Sequence, residues 1–316
     1  MARRQTAATA RATPDGPLEV GGRQLPIRNL DRVVFPRTQT TKADLLDYYI
    51  RVGNVMLPHL RERLLHMHRY PEGVEGPRFW QKGCPKHRPE WMQTAPVWSR
   101  DKQANIDYCV VDELASLLWA VNIGSIELHT SLHTRADLHR PTTLAFDLDP
   151  GEGVDVVGCG EVALALREML AGAGLRAFAK TSGSKGLQVY VPLNCDVSYA
   201  QTKPAARTIA QVLEEQWPQR VVSRMAKALR AGKVLIDWGQ NTEHKSMVCV
   251  YSVRAKARPT VSTPLRWSEL QDAVDARDPA LLTFEMDDVL ERIARDGDLF
   301  AEVLSLEQRH VQAPSI

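Results

Sequence analysis

The chain has 316 residues, 44% hydrophobic and 25% charged, a globular composition that suits one large domain or two small ones. A formal net charge of +2 excludes a uniformly basic chain, so any surface for nucleic acid has to be local. No apolar stretch reaches the roughly 18–20 residues of a membrane span, and the early arginines lack the apolar run of a secretory signal.

Residues 1–17, rich in Ala, Thr and Arg without apolar periodicity, read as a disordered tail. "TTKADLLDYYIRV" predicts a helix opened by a capping box of Thr41 and Asp44, with Leu45, Leu46, Tyr49 and Ile50 on one face. "VDELASLLWAVNIG" predicts a second helix, with a stripe of Leu114, Leu117, Leu118 and Val121 and a stop at Gly124. In "SIELHT", Ile126 and Leu128 share one face of a strand and Glu127 and His129 the other.

The middle is the most regular part. "TTLAFDLD" reads as a strand, "GEVALALREMLAGAG" as a helix, and "RAFAK" and "LQVYVPL" as strands joined by the turn "TSGSKG". Pro204 suits the first turn of a helix that runs to about Trp217. "KVLIDWGQN" and "MVCVYSVRA" read as further strands, and residues 264–312 as a polar helical cap. Local alternation mixed with hairpins predicts an α+β fold with a mixed sheet. The expected division is 18–125 for an N-terminal α/β module, 126–263 for a catalytic core and 264–312 for the cap, together one domain over 18–312.

Cys84, Cys109, Cys159, Cys195 and Cys249 are odd in number and never form CxxC, which reads as mostly buried thiols in a reducing cytoplasm. "CPKH" (Cys84, His87) with "HMH" (His66, His68) has half of a zinc-like spacing, and a polar surface loop is its plainer reading.

In "LAFDLDP", Leu144, Phe146 and Leu148 alternate with Asp147 and Asp149. Residues two apart on a strand stand roughly 6.5–7 Å apart on one face. Burying two like charges is costly unless a cation joins them. Asp237, inside the apolar run "VLIDW", asks for a partner in the same way, although sequence alone does not place it beside the pair. Carboxylates without cysteine favour Mg²⁺ or Mn²⁺. Salt bridges or turn caps are the plainer alternative for a lone DxD.

The turn "KTSGSKGLQVYV" sets Gly183 and Gly186, which permit positive φ, beside Ser182 and Lys185, an arrangement able to receive an anion. It is not a Walker A loop, because the glycine spacing differs and a strand follows. Phe79 and Trp80 in "GPRFWQKG" point to opposite faces of a strand, so one serves either as core or as a stacking platform flanked by Arg78 and Lys82. Arg230, Lys233, Lys245, Arg254, Lys256 and Arg258 gather in sequence around Asp237 as counter-charges for a polyphosphate or as a solvated basic face.

Together these segments resemble the polymerase domain of bacterial DNA ligase D, within the archaeo-eukaryotic primase superfamily. The resemblance runs from about Leu18 to Val311 and is carried by "TTKADLLDYY", "RFWQKG", "IGSIELHT", "LAFDLDPGEG", "KTSGSKGLQVYVPL", "VLIDWGQN" and "YSVRAKARPTVSTPLRWSEL" in order. It implies an RRM-like catalytic core, Mn²⁺ in preference to Mg²⁺, and addition of ribonucleotides to DNA ends in non-homologous end joining with Ku and a ligase. By the same resemblance Asp147, Asp149 and Asp237 match metal-binding carboxylates. Ser182, Lys185, Arg230 and Arg254 match triphosphate contacts, and His129 a residue near the ribose. Phe79 and Trp80 match a template-stacking pair, and Lys42 and Arg32 basic residues that hold the 5′-phosphate of a downstream strand.

Two departures stand out. The chain reads "GLQVY" where the family usually has "GLHVY", so Gln188 replaces a histidine that contacts the triphosphate. Weaker nucleotide binding, or dependence on Lys185 and Arg254, is expected. No KxDG ligase motif occurs, so a stand-alone polymerase served by a separate ligase, cytoplasmic and nucleoid-associated, is expected. An inactive end-binding scaffold and a primase are the alternatives.

Overall fold

The computed structural model describes residues 16–308. The apolar run at Thr143–Pro150 is a central strand of a six-stranded sheet. Its order is Val221–Val222, Val234–Asp237, Thr143–Pro150, Leu187–Pro192, Phe178–Thr181 and Pro264–Leu265, with only the first pair parallel. The chain reaches it as strand, helix Val156–Gly172, two strands, helix Tyr199–Gln216 and strand, and those four strands lie in the order 4-1-3-2. This is the split βαβ arrangement expected of an RRM-like core. Leu144, Phe146 and Leu148 are buried with Val162, Leu166 and Leu170 of the first helix and Ile209 and Leu213 of the second. Each such side chain contributes about 1.5–3 kcal/mol of burial.

A second sheet has the order Met247–Val248, Ser125–Thr130, Leu64–Arg69, Ala104–Val110 and Thr94–Ser99, and Phe79–Gln81 also pairs with Leu64–Arg69. Helices Lys42–Leu60 and Leu114–Asn122 supply Tyr48, Tyr49, Met56, Leu117 and Leu118 to its core. Ala145 and Tyr190, from the face of the six-stranded sheet opposite its helices, join that same core. Two polar-bearing faces therefore meet along Ser125–Thr130, Met247–Val248 and Thr143–Pro150.

Several expectations shift in detail. The boundary at 125/126 falls at the start of a strand that belongs to the N-terminal sheet, and Pro264–Leu265 adds a strand to the catalytic sheet before helices Trp267–Ala276 and Met286–Asp296. Of the expected tail, Gly16 and Pro17 already belong to the strand Gly16–Val20, and residues 1–15 lie outside the described residues, as do 309–312 of the cap. The capping box of Thr41 and Asp44 is formed, but Ile50 is 41% exposed, and Tyr48 and Val52 take the buried stripe instead. The helix containing Pro204 begins earlier, at Tyr199, because Ser198 and Gln201 make a capping box. "MVCVYSVRA" is a strand only at Met247–Val248; Tyr251 has φ 67°, which ends the extended run.

The reading of five thiols is corrected. Cys84 and Cys109 are joined as a disulfide, brought together where Gly83 bridges Tyr108 and the Cys84 amide bonds to the Asp107 carbonyl. Cys84 is thereby removed from the zinc-like spacing. No helix among the described residues is long and apolar enough to cross a membrane.

Candidate active site

Antiparallel register puts Asp147 directly opposite Asp237, and Asp149 follows two residues along on the same face. The three carboxylates thus come from two neighbouring strands, an adjacency that the sequence alone does not place. Among the described residues none of the three has a cationic partner within ion-pair distance. Asp147 Oδ1 accepts a hydrogen bond from Gln188 Nε2 at 3.0 Å. Asp237 accepts from the Gly239 amide at 2.8 Å and from Gln240 Nε2 at 2.9 Å.

Burial, and then the charges of Asp149 and Asp237, push the Asp147 carboxyl up to about 7, against the hydrogen bond from Gln188 and the charge of Lys180. Asp149 is raised by burial and by Asp237, with Arg230 opposing. Adjacent carboxylates that resist ionising are the donor set of a hard divalent cation. Among the described residues no group of three or more His, Cys, Asp or Glu converges closely enough to hold a metal ion as it stands. Carboxylate oxygens are donors of the kind that Mn²⁺ or Mg²⁺ takes, and these hydrogen bonds leave lone pairs on Asp147 and Asp237.

Asp147 and Asp149 open onto a cavity of about 360 Å³. Its walls include His129, Ser182, Lys185, Gln188, Arg230 and Arg254, so eight of the expected site residues meet in one place. Asp237 does not line it, since its carboxylate is turned to its own following turn. Of the basic residues grouped in sequence, Arg230, Arg254 and Lys256 line the cavity, whereas Arg258 turns away to pair with Glu285. Among the described residues Nε of Arg230 is buried without a hydrogen-bond partner, while Nε of Arg254 lies 3.2 Å from a Glu127 carboxylate oxygen. Cationic side chains lining an open cavity suit a polyanion.

The turn between Phe178–Thr181 and Leu187–Pro192 is built by Ser182, whose Oγ accepts from the amides of Ser184 and Gly186, both at 3.2 Å. Only Gly183 has positive φ, 65°, and a Cβ there would lie 2.8 Å from Arg254 Cγ. Gly186 is required for a different reason from the one expected: a Cβ would fall 2.1 Å from the Leu148 carbonyl oxygen. The turn is pressed against the carboxylate strand, with Lys185 exposed at its tip.

Gln188 is 4% exposed, and both ends of its amide are engaged inside the protein. Its Oε1 accepts from Lys180 Nζ at 2.5 Å while Nε2 donates to Asp147. Lys180, 1% exposed, also donates to the Val248 carbonyl and Ser262 Oγ. Burial pushes its ammonium down to about 7. Sequence reasoning missed Lys180, although a lysine inside the apolar run "RAFAK" carried the same signal as the aspartates. It also missed Glu127, which shares the buried polar face of Ser125–Thr130 with His129.

The aromatic pair is divided as alternation requires. Trp80 stacks on His68, centroids 4.3 Å apart and planes 6° apart, and meets His129 edge-on at 4.8 Å. Phe79 lies on the other face under the Arg69 guanidinium, 5.2 Å from its ring centre. They are 54% and 45% exposed, so neither is core. Arg32 and Lys42 are in a separate cavity of about 260 Å³. There Lys42 Nζ donates to the Arg28 carbonyl and Asn122 Oδ1, and Arg32 donates to the Pro71 carbonyl.

Comparison with known proteins bears on the whole arrangement. Residues 41–300 match the family described as LigD, primase-polymerase domain. The chain is 40% identical over 296 residues to the multifunctional non-homologous end joining DNA repair protein LigD of Mycobacterium tuberculosis, and 30% identical over 275 residues to the bifunctional non-homologous end joining protein LigD of Bacillus subtilis. These alignments cover 91% and 87% of this chain but only 37% and 43% of the relatives, so the chain spans well under half of their length. A solved structure, the polymerase domain from Mycobacterium tuberculosis ligase D in complex with DNA, superposes with a TM-score of 0.82 at 39% identity. That match covers 90% of this chain and 99% of the solved one.

Proposed function

The chain belongs to the LigD primase-polymerase family, and from that premise we propose that it is a nucleotidyltransferase that extends DNA ends during non-homologous end joining, with ribonucleotides preferred. The observation that carries this reading is the pair Asp147 and Asp149 at the wall of a cavity whose other wall is cationic, with Asp237 opposite Asp147 in the strand register. Lys185, Arg230 and Arg254 hold the triphosphate, Ser182 shapes the turn around it, and His129 stands at the sugar. A primer 3′-hydroxyl attacks the α-phosphorus, the bond to the β-phosphate oxygen breaks, pyrophosphate leaves and the hydroxyl proton passes to solvent. Asp147, Asp149 and Asp237 would hold Mn²⁺ or Mg²⁺, which supplies charge neutralisation at the attacking and leaving oxygens. The protein's own share is positioning and electrostatics.

Trp80 and Phe79 offer stacking surfaces to the template, and the cavity holding Arg32 and Lys42 receives the 5′-phosphate across a gap. Ku and a DNA ligase activity are the expected partners, at the nucleoid in the cytoplasm. Gap filling on a 5′-phosphorylated gapped duplex with Mn²⁺ and separate NTP and dNTP pools tests the reading. Wild type extends the primer, and Asp147→Ala with Asp149→Ala lowers the rate by about 10²–10³ or more. Equal incorporation by both proteins rejects the assigned site.

A second reading, an end-binding scaffold without catalysis, is favoured by one observation: with Asp147 and Asp237 bonded to Gln188 and the Gly239–Gln240 turn, no three His, Cys, Asp or Glu groups among the described residues converge on a metal position. Binding of the gapped duplex without extension at every metal concentration would select it. The variant Gln188→His tests the same point, because the nucleotide KM should fall if the amide bridge limits binding.

A further inference from the structure

Glu127 is 4% exposed, and its two oxygens serve four groups. Oε2 faces His129 Nε2 at 3.2 Å and His68 Nδ1 at 3.4 Å. Oε1 accepts from the Ala255 amide at 3.0 Å and lies 3.2 Å from Arg254 Nε. Burial by itself would raise this carboxyl, but the hydrogen bonds from His129 and His68 and the charge of Arg254 hold it well below the usual range. It is therefore an anion, able only to accept. Burial pushes the His129 imidazole down to about 4; the bond to Glu127 opposes this and Arg254 adds to it. A neutral imidazole whose Nε2 faces an acceptor carries its proton there.

That leaves His129 Nδ1 as a lone-pair acceptor. It has no hydrogen-bond partner among the described residues, and the ring lines the cavity with Asp147, Lys185 and Arg254. Ionised phosphate oxygens are acceptors and gain nothing from it. Away from the base, the donors that a nucleotide offers are its sugar hydroxyls.

We propose that Glu127 is a positioning residue that fixes His129 as the Nε2–H tautomer, so that Nδ1 accepts a hydroxyl of the bound nucleotide's sugar and the site separates ribose from deoxyribose. The inference rests on the nucleotide-binding reading above. The same carboxylate holds Arg254, which also donates to the Ser182 carbonyl, and His68, on which Trp80 stacks. Sugar, triphosphate and base-stacking groups thus share one anchor.

The test begins with imidazole ¹⁵N spectra of the wild-type chain without nucleotide, which should show His129 neutral near pH 7 and protonated at Nε2. In Glu127→Gln the amide can turn a donor toward Nε2. The Nδ1–H tautomer should then appear, and the NTP-over-dNTP ratio of kcat/KM should fall about tenfold, through the KM for NTP, with the KM for dNTP within about twofold. A wild-type His129 protonated at Nδ1, or an unchanged ratio in Glu127→Gln, overturns the proposal. If wild type incorporates neither sugar, the polymerase reading fails. The inference is then decided separately: ATP must shift the His129 Nδ1 resonance and 2′-deoxy-ATP must not. If Glu127→Gln does not fold, the wild-type spectra and this pair of titrations decide it.

Discussion

Glu127 on the N-terminal sheet and Asp147 on the catalytic sheet are both carboxylates set among apolar strands, and their neighbours differ in kind. Around Glu127 stand two imidazoles, a guanidinium and a backbone amide, and the carboxyl is held low. Around Asp147 stand two more carboxylates and one neutral amide, and the carboxyl is driven up to about 7. The first is a charge whose counter-charges the chain itself provides, so it organises its surroundings. The second is a charge left in deficit, and a deficit beside an open cavity is where a ligand contributes most.

The largest effect should come from breaking the compensated side. Glu127→Ala leaves Arg254, 14% exposed, without its counter-ion. A loss of about 3–5 kcal/mol in denaturant unfolding is expected, and a loss below about 1 kcal/mol would show that the cluster is not held by charge. Next is Lys180→Met, which removes three hydrogen bonds from a buried ammonium and the only cation that reaches Asp147 through Gln188 among the described residues. It should cost about 2–3 kcal/mol and raise the Asp147 carboxyl further, read by NMR titration.

The smallest effect has the opposite sign. Because the folded-state value for Asp147 lies above the ordinary one near 3.8, the stability it contributes is present below that value and is lost as pH rises through about 7. Asp147→Asn escapes the loss. Without divalent ions the variant should be about 1–2 kcal/mol more stable than wild type at pH 8, with the gap closing toward pH 5. Added Mn²⁺ should stabilise wild type more than the variant. A gap that widens on acidification contradicts the contrast between the two sites.

The strands, the capping box at Thr41 and the buried face of Thr143–Pro150 were legible because period-2 and period-3.6 patterns depend only on neighbours in sequence. The same holds for Asp147 with Asp149 and for the turn between Phe178–Thr181 and Leu187–Pro192. The partner of Asp147 was not, since the register with Asp237 joins residues ninety apart through a helix crossover. The Cys84–Cys109 disulfide and the crossing of Met247–Val248 into the N-terminal sheet depend in the same way on where the chain returns. Gln188 was legible as a departure but not as a bridge, because its other partner, Lys180, had been read only as strand.

Where the backbone of Gly186 lies against the Leu148 carbonyl, there is no room for a Cβ between the turn at 182–186 and the strand of acids. The turn and the strand of acids pack backbone against backbone. On the proposed reading, a nucleotide seated by its phosphates on this turn lies at a fixed height above Asp147. Any side chain at position 186 would lift the turn and lengthen that reach, so this is the residue where a single methyl group should uncouple grip from chemistry.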